Sequence, residues 1–211
     1  NSMKADVKYG SNLDELNAIY GDPLDLVRMK TLPKLEAHSK AYIAASPFLT
    51  LATSGADGMT DVSPRGDAPG FVAVLDDQTI VIPDRPGNKR VDSMTNIVEN
   101  PNVGLLFLIP GMNETLRVNG QARITNDPIL LASLEANGKL PAAAIVVQVD
   151  EVFLHCAKAF VRSKLWKSES QIDRKSFPTL GKMITDQLSE LKLDSDEIDE
   201  VIDQDERDNL Y

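Results

Sequence analysis

Asp84-Arg85-Pro86-Gly87-Asn88-Lys89-Arg90 sets three cations in a turn that also holds Pro and Gly. The turn follows the apolar run Thr79 to Ile82 and precedes a segment of helical character, Asn88 to Glu99. A helix N-terminus offers unpaired backbone N–H groups and a partial positive charge. Arg and Lys beside it make a set suited to a phosphate dianion.

Two further segments carry cations. Ser63-Pro64-Arg65-Gly66-Asp67 ends a strand, with Pro64 and Gly66 shaping the backbone and Arg65 projecting. Its plain alternative is a loop with a surface pair between Arg65 and Asp67, which contributes little. The stretch Cys156 to Trp166 sets Lys158, Arg162 and Lys164 beside the only tryptophan. Its plain alternative is an amphipathic stretch anchored by Phe160, Leu165 and Trp166. Together the three segments suggest one anionic ligand, with Trp166 and apolar strands available to cover a flat ring. Flavin mononucleotide, FMN, has both a phosphate and an aromatic heterocycle; other phosphorylated ligands remain open at this point.

Other chemistry is poorly supplied. The chain has no Walker loop, no G-x-G-x-x-G, no H-E-x-x-H and no nucleophile elbow. Two histidines and one cysteine do not make a typical zinc site, so no metal is expected. His38 falls in a helical pattern and reads as structural. His155 and Cys156 are adjacent, so on a strand they point to opposite faces. Cys156 reads as a plain buried thiol.

The net charge of −10 over 211 residues is concentrated at one end. From Asp186 to Asp208 there are eleven acids and two bases, which leaves the remainder near −1. A broad basic face for nucleic acid is therefore not expected. The acidic tail reads as a solvated helical face. No apolar run approaches the roughly 20 residues of a membrane span, and no export signal is read at the N-terminus. With a single cysteine, a reducing cytoplasmic setting is the expected one.

The elements that must position these residues follow from pattern. Residues 11–46 read as helical, interrupted at Asp22-Pro23 and Leu32-Pro33. From Pro47 the character is that of strands: Phe48 to Thr53, Met59 to Ser63, Gly70 to Leu75, Thr79 to Ile82, Val103 to Ile109, Thr115 to Thr125 and Ala142 to Phe153. Asp127-Pro128 opens a helix to about Asn137, and Leu180 to Leu191 and Asp196 to Leu210 are helical. Short consecutive strands with tight turns argue for an antiparallel barrel rather than a parallel doubly wound sheet. The expected organisation is a helical arm (1–46), a barrel (47–166) and an acidic helical extension (167–211).

The ordered motifs S-P-F-L-T-L-A-T, D-V-S-P-R-G-D-A-P-G-F-V, I-P-D-R-P-G-N-K-R, N-P-N-V-G-L-L-F-L-I-P-G, E-T-L-R-V-N-G-Q-A and H-C-A-K-A-F-V-R-S-K-L-W resemble the pyridoxamine 5′-phosphate oxidase-like, FMN-binding split-barrel family. The likeness is greatest to a bacterial branch of FMN-dependent flavoproteins without an assigned substrate. It covers about Leu13 to Trp166. The resemblance implies a mainly β fold, a six-stranded antiparallel split barrel with added helices, in a homodimer holding FMN at the subunit interface. It implies Ser63, Arg65, Ile82 and Pro83 at the ring or ribityl chain, and Arg85, Asn88, Lys89 and Arg90 at the phosphate. Arg117 or Asn119, with Arg162, Ser163 and Trp166 from the same chain or the partner, complete that expected pocket.

The sequence departs from the authentic oxidase. Ile82-Pro83 and Asn88-Lys89-Arg90 stand where the oxidase carries Tyr-Thr and Ser-Arg-Lys, and no C-terminal Arg-x-His is evident. The implied activity is thus an FMN-dependent oxidoreductase of another small molecule, with no general acid or base assigned. The alternative is a non-catalytic protein that binds, stores or senses flavin, coenzyme F420 or haem.

Overall fold

The computed structural model describes residue 10 and residues 12–22, 25–87 and 90–211, with only the backbone described at Val27. Contacts divide the chain into two compact units, residues 1–31 and 32–211. In the first, α1 (Leu13–Tyr20) is capped by Asn12, whose side chain accepts from the Glu15 N–H at 3.0 Å. It ends at Gly21, whose φ of 66° suits a residue without Cβ. The short helix α2 spans Asp25–Met29. Of the expected Asp22-Pro23 restart, Pro23 lies outside the described residues.

The second unit opens with α3 (Ala37–Ala45), started by a reciprocal cap between Glu36 and Ser39. Seven strands follow: β1 (Phe48–Ser54), β2 (Thr60–Gly66), β3 (Ala73–Val74), β4 (Thr79–Pro83), β5 (Asn102–Leu108), β6 (Thr115–Thr125) and β7 (Ala144–His155). Between them lie α4 (Asp92–Glu99) and α5 (Pro128–Ala132). The strands form one antiparallel sheet in the order β2-β1-β5-β6-β7-β4-β3. The resemblance led to six strands; the seventh is the two-residue β3.

The period-two alternation read from sequence is what buries one face. Leu49 and Leu51 of β1, Leu105 and Phe107 of β5 and Leu116 and Val118 of β6 are sealed in a single core. Ile80 and Ile82 of β4 join that same core, although β4 lies near the opposite end of the strand order from β1. The sheet therefore curls around one interior, the split-barrel arrangement. Each fully buried Leu, Ile or Phe contributes about 1.5–3 kcal/mol relative to exposure. Val81 faces the other way, into a smaller cluster with Leu131, Leu134 and Ala144.

Gly120 marks the one break in register between β6 and β7. A Cβ there would lie 2.1 Å from the Gln148 carbonyl oxygen, so the two strands approach to a distance only glycine permits.

After the barrel come α6 (Lys158–Ser163), two short 3₁₀ turns, α7 (Leu180–Gln187) and α8 (Ser195–Asp208). The helices α7 and α8 close on each other at Gly181, whose N–H donates to Asp199 at 2.7 Å. No helix among the described residues is long and apolar enough to cross a membrane.

Several boundaries differ from expectation. The third strand shrinks because Ala68–Phe71 forms a turn with Gly70 at φ 86°. The helix after Asp127 stops at Ala132, and Asn137 and Gly138 adopt left-handed conformations in a tight bridge between Ala136 and Lys139. Cys156 is exposed rather than buried, because β7 ends at His155 and the chain turns outward.

Candidate cofactor cleft

β2 is an edge strand with no fully buried residue, and its side chains alternate between exposed and half-buried. The half-buried row is Asp61, Ser63 and Arg65. It faces α4, where Ser93 and Asn96 lie three residues apart on one side of the helix. Asn96 donates to Asp61 at 2.9 Å and to the Thr53 hydroxyl at 3.0 Å. The hydroxyls of Ser63 and Ser93 lie 3.2 Å apart. These bonds fix the edge strand to the helix and leave a cleft of about 820 Å³ between β2, α4 and the chain that follows β4.

Arg65 donates through Nε to Ser63 at 3.3 Å and through Nη1 to Asp84 at 2.8 Å. Arg85 donates through Nε to Asp67 at 2.6 Å and through Nη1 to the Leu134 carbonyl at 2.9 Å. The two arginines thus take crossed partners, Arg65 with Asp84 and Arg85 with Asp67. The neighbouring pair Arg65–Asp67 considered from sequence does not form. Both crossed pairs are substantially buried: Arg85 and Asp67 side chains keep 15% and 4% of their surface, Arg65 and Asp84 19% and 29%. Arg90 pairs with Asp92 at 2.9 Å on the exposed rim.

Asp67 also accepts from the Tyr211 hydroxyl and from the Ala68 N–H, each at 2.7 Å. Burial pushes its carboxyl up, but these bonds, with the bond and charge of Arg85, outweigh that and hold it below the usual carboxylate range. Tyr211 is raised above the usual phenol value, first by its bond to Asp67 and then by burial.

Of the residues expected at the cofactor, Ser63, Arg65, Pro83, Arg85 and Arg90 line the cleft together. Asn88 and Lys89 lie outside the described residues. Ile82 is fully buried in the core. Arg117 and Asn119 instead both donate to Glu151, at 2.6 and 3.1 Å, and the Arg117 guanidinium lies 5.0 Å from the centre of the Phe153 ring. Arg162 and Ser163 are exposed at the end of α6. Trp166 stacks on Phe160 and donates to the Met112 carbonyl at 2.6 Å. None of these last six lines this chain's cleft.

The helix expected from Asn88 begins at Asp92, with Arg90 and Val91 in irregular backbone. Arg85 and Arg90 therefore precede α4 rather than sit in its first turn. Asp67, Asp84, Ser93 and Tyr211 were missed as site residues. Asp84 and Asp67 stand beside the cationic motifs, but only the fold shows which arginine each one meets.

The cleft fits a ligand that is part anion and part ring. Its volume lies in the usual range for small-molecule sites, about 300–1,000 Å³. Val62, Phe71, Val91, Met94 and Leu140 supply apolar wall, and three arginines supply charge-assisted donors.

The chain was compared with known proteins. No curated protein matches the chain. Among solved structures, a putative pyridoxamine 5′-phosphate oxidase from Lactobacillus delbrueckii is 24% identical, with a TM-score of 0.46 over 59% of this chain and 99% of its own. HupZ from Group A Streptococcus is 18% identical, with a TM-score of 0.47 over 57% of this chain and 93% of its own. HutZ, described as a heme storage protein from Vibrio cholerae, is 17% identical, with a TM-score of 0.40 over 58% and 94%. The family model described as pyridoxamine 5′-phosphate oxidase matches residues 35–156, which include α3, every strand and the walls of the cleft, and the chain belongs to that family.

Proposed function

We propose that the cleft binds FMN and that the chain is an FMN-dependent oxidoreductase acting on a small molecule. The observation that carries this reading is the meeting of Ser63, Arg65, Pro83, Arg85 and Arg90 around one cleft with an apolar wall. Arg85 and Arg90, with Asn88 and Lys89 from the same turn, serve the phosphate. Ser63, Arg65 and Pro83 serve the ring and ribityl chain.

Bound FMN supplies the two-electron chemistry that no side chain here offers. The protein's part is to bind, orient and tune. Arg65 is held on two sides, by Ser63 and Asp84, so its charge is fixed before any ligand enters. The departures from the oxidase at Ile82-Pro83 and Asn88-Lys89-Arg90, with no Arg-x-His element for substrate phosphate evident, argue for a substrate other than pyridoxamine phosphate.

The proposed assembly is a cytoplasmic homodimer with FMN at the subunit interface. Arg117, Asn119, Arg162, Ser163 and Trp166 do not line their own chain's cleft, and in this reading they serve the partner's.

An absorption spectrum of the purified protein, with the released cofactor identified by mass, tests the assignment. Flavin bands and an FMN mass are expected, followed by substrate-dependent bleaching under anaerobic conditions. Flavin that is bound but reduced by no electron donor would favour a storage or sensing protein. Failure to bind added FMN would overturn the reading.

A further inference from the structure

The acidic pattern of the C-terminal arm predicts a solvated face, yet its last described residue bonds Asp67, which directly follows the cleft-lining Gly66. Tyr211 donates its hydroxyl to Oδ1 of Asp67 at 2.7 Å, and Oδ2 of Asp67 accepts from Arg85 Nε at 2.6 Å. The main-chain oxygen of Tyr211 accepts from Lys139 Nζ at 2.6 Å. Lys139 precedes Leu140, which lines the cleft, as does Arg85. Two independent bonds therefore tie Tyr211 to residues next to the cleft lining, Asp67 after Gly66 and Lys139 before Leu140.

The arm is built to deliver that residue. Thr179 caps α7 and Asp194 caps α8, accepting from backbone N–H groups at 3.1 and 2.8 Å. At Gly181 an added Cβ would lie 2.4 Å from the Ser195 carbonyl oxygen, so α7 and α8 close tightly. The C-cap of α8 is Asn209, whose N–H donates to the Asp205 carbonyl at 2.8 Å, and Tyr211 follows two residues later.

Asp67 keeps 4% of its side-chain surface. A carboxylate so enclosed needs donors on both oxygens to remain charged. Oδ1 takes two, one of them from Tyr211, while Oδ2 holds Arg85. We propose that Tyr211 is a positioning residue of the cleft, whose hydroxyl acts through Asp67 to hold Arg85 for an anionic group, so that arm docking and anion binding are coupled. The proposal rests on the FMN reading for the identity of the anion. Coupling of this sort is reciprocal: what the docked arm gives to ligand affinity, the ligand returns to arm docking.

Tyr211→Phe in the full chain removes the hydroxyl and keeps the ring. FMN and riboflavin titrations by flavin fluorescence, with hydrogen exchange of α8 and the residues after it, test the coupling. The variant is expected to bind FMN about fivefold or more weakly, with riboflavin, which has no phosphate, bound equally by both proteins. FMN is expected to slow exchange after Ser195 in the wild type and not in the variant. Equal FMN affinities overturn the proposal, and so do equal losses for FMN and riboflavin, which would mark a merely structural role. If the wild type binds no FMN, the cofactor reading falls. The exchange comparison with inorganic phosphate then decides the coupling, and arm amides indifferent to both phosphate and substitution overturn it.

Discussion

Arg85 and Asp67 are 18 residues apart in sequence and meet at 2.6 Å, both largely withdrawn from solvent. The pair joins the end of β2 to the chain beyond β4, the two walls of the cleft. Burying both charges is itself costly, and their attraction offsets that cost only while both are present. Arg85→Ala leaves Asp67 with the Tyr211 and Ala68 donors alone. The expected loss is about 3 kcal/mol, read from urea unfolding midpoints, because an unpaired buried charge remains. The double variant Arg85→Ala, Asp67→Ala should lose less than Arg85→Ala alone. A double variant that is the sum of the singles would show that the two side chains do not interact.

Acid and base should act on this cluster in opposite senses. Asp67 holds its proton less tightly in the folded chain, so the unfolded chain binds more protons and stability rises with pH. That contribution is complete above the unfolded carboxyl value of about 3.9 and is lost as pH falls through the lower folded value. Tyr211 holds its proton more tightly when folded. Its contribution is present below the ordinary phenol value of about 10 and is lost as pH rises through the higher folded value. Asp67→Asn should flatten the acid limb of stability against pH, and Tyr211→Phe the alkaline limb. Limbs identical to the wild type's would count against these shifts.

The strands were legible because their signal is local. A period of two in Leu116, Val118 and Ala122 puts these residues inside, whatever the strand pairs with. The turn at Asp84 to Arg90 stood out because it gathers three cations beside Pro and Gly, and Arg85 and Arg90 do meet Arg65 and Ser63 at one cleft. The crossed ion pairs were not legible. Arg65 and Asp67 are two residues apart and look like partners, but β2 ends at Gly66 and each residue turns to the chain after β4. Tyr211 lies 144 residues from Asp67, and no periodicity reports that meeting. Asp92 rather than Asn88 opens α4, and its N-cap position, Val91, offers no capping side chain that would mark this start in the sequence.

Gly120→Ala tests the strand geometry behind the cleft. The new methyl carbon would lie 2.1 Å from the Gln148 carbonyl oxygen and 3.0 Å from its carbon, both backbone atoms. Rotamer change cannot relieve that contact, so β6 and β7 must part. A loss of about 3 kcal/mol is expected, the upper end for overpacking. A variant with a wild-type midpoint would mean that the bulge relaxes freely.

Arg90 separates ligand binding from folding. It stands on the rim, 74% exposed, and its pair with Asp92 is a surface contact. Arg90→Ala should therefore change stability by no more than about 0.5 kcal/mol. Its loss of affinity for FMN should exceed its loss for riboflavin, because the missing cation is assigned to the phosphate. Equal losses for the two ligands would remove Arg90 from the phosphate site.

Arg65 and Asp84 offer a test by sign. The pair places a positive and a negative group 2.8 Å apart beside the space proposed for the ring. If Arg65 tunes a bound flavin by its charge, Arg65→Ala should make the reduction potential more negative, since a cation favours added electrons. Asp84→Asn leaves the guanidinium in place but removes the carboxylate that offsets it, so the potential should become more positive. Shifts on the order of 30 mV are expected, about 1.4 kcal/mol for a two-electron couple. General damage to the cleft would move both variants the same way. Opposite displacements in a spectroelectrochemical titration would instead assign the effect to charge, and shifts of one sign would remove Arg65 from the flavin's electrostatic environment.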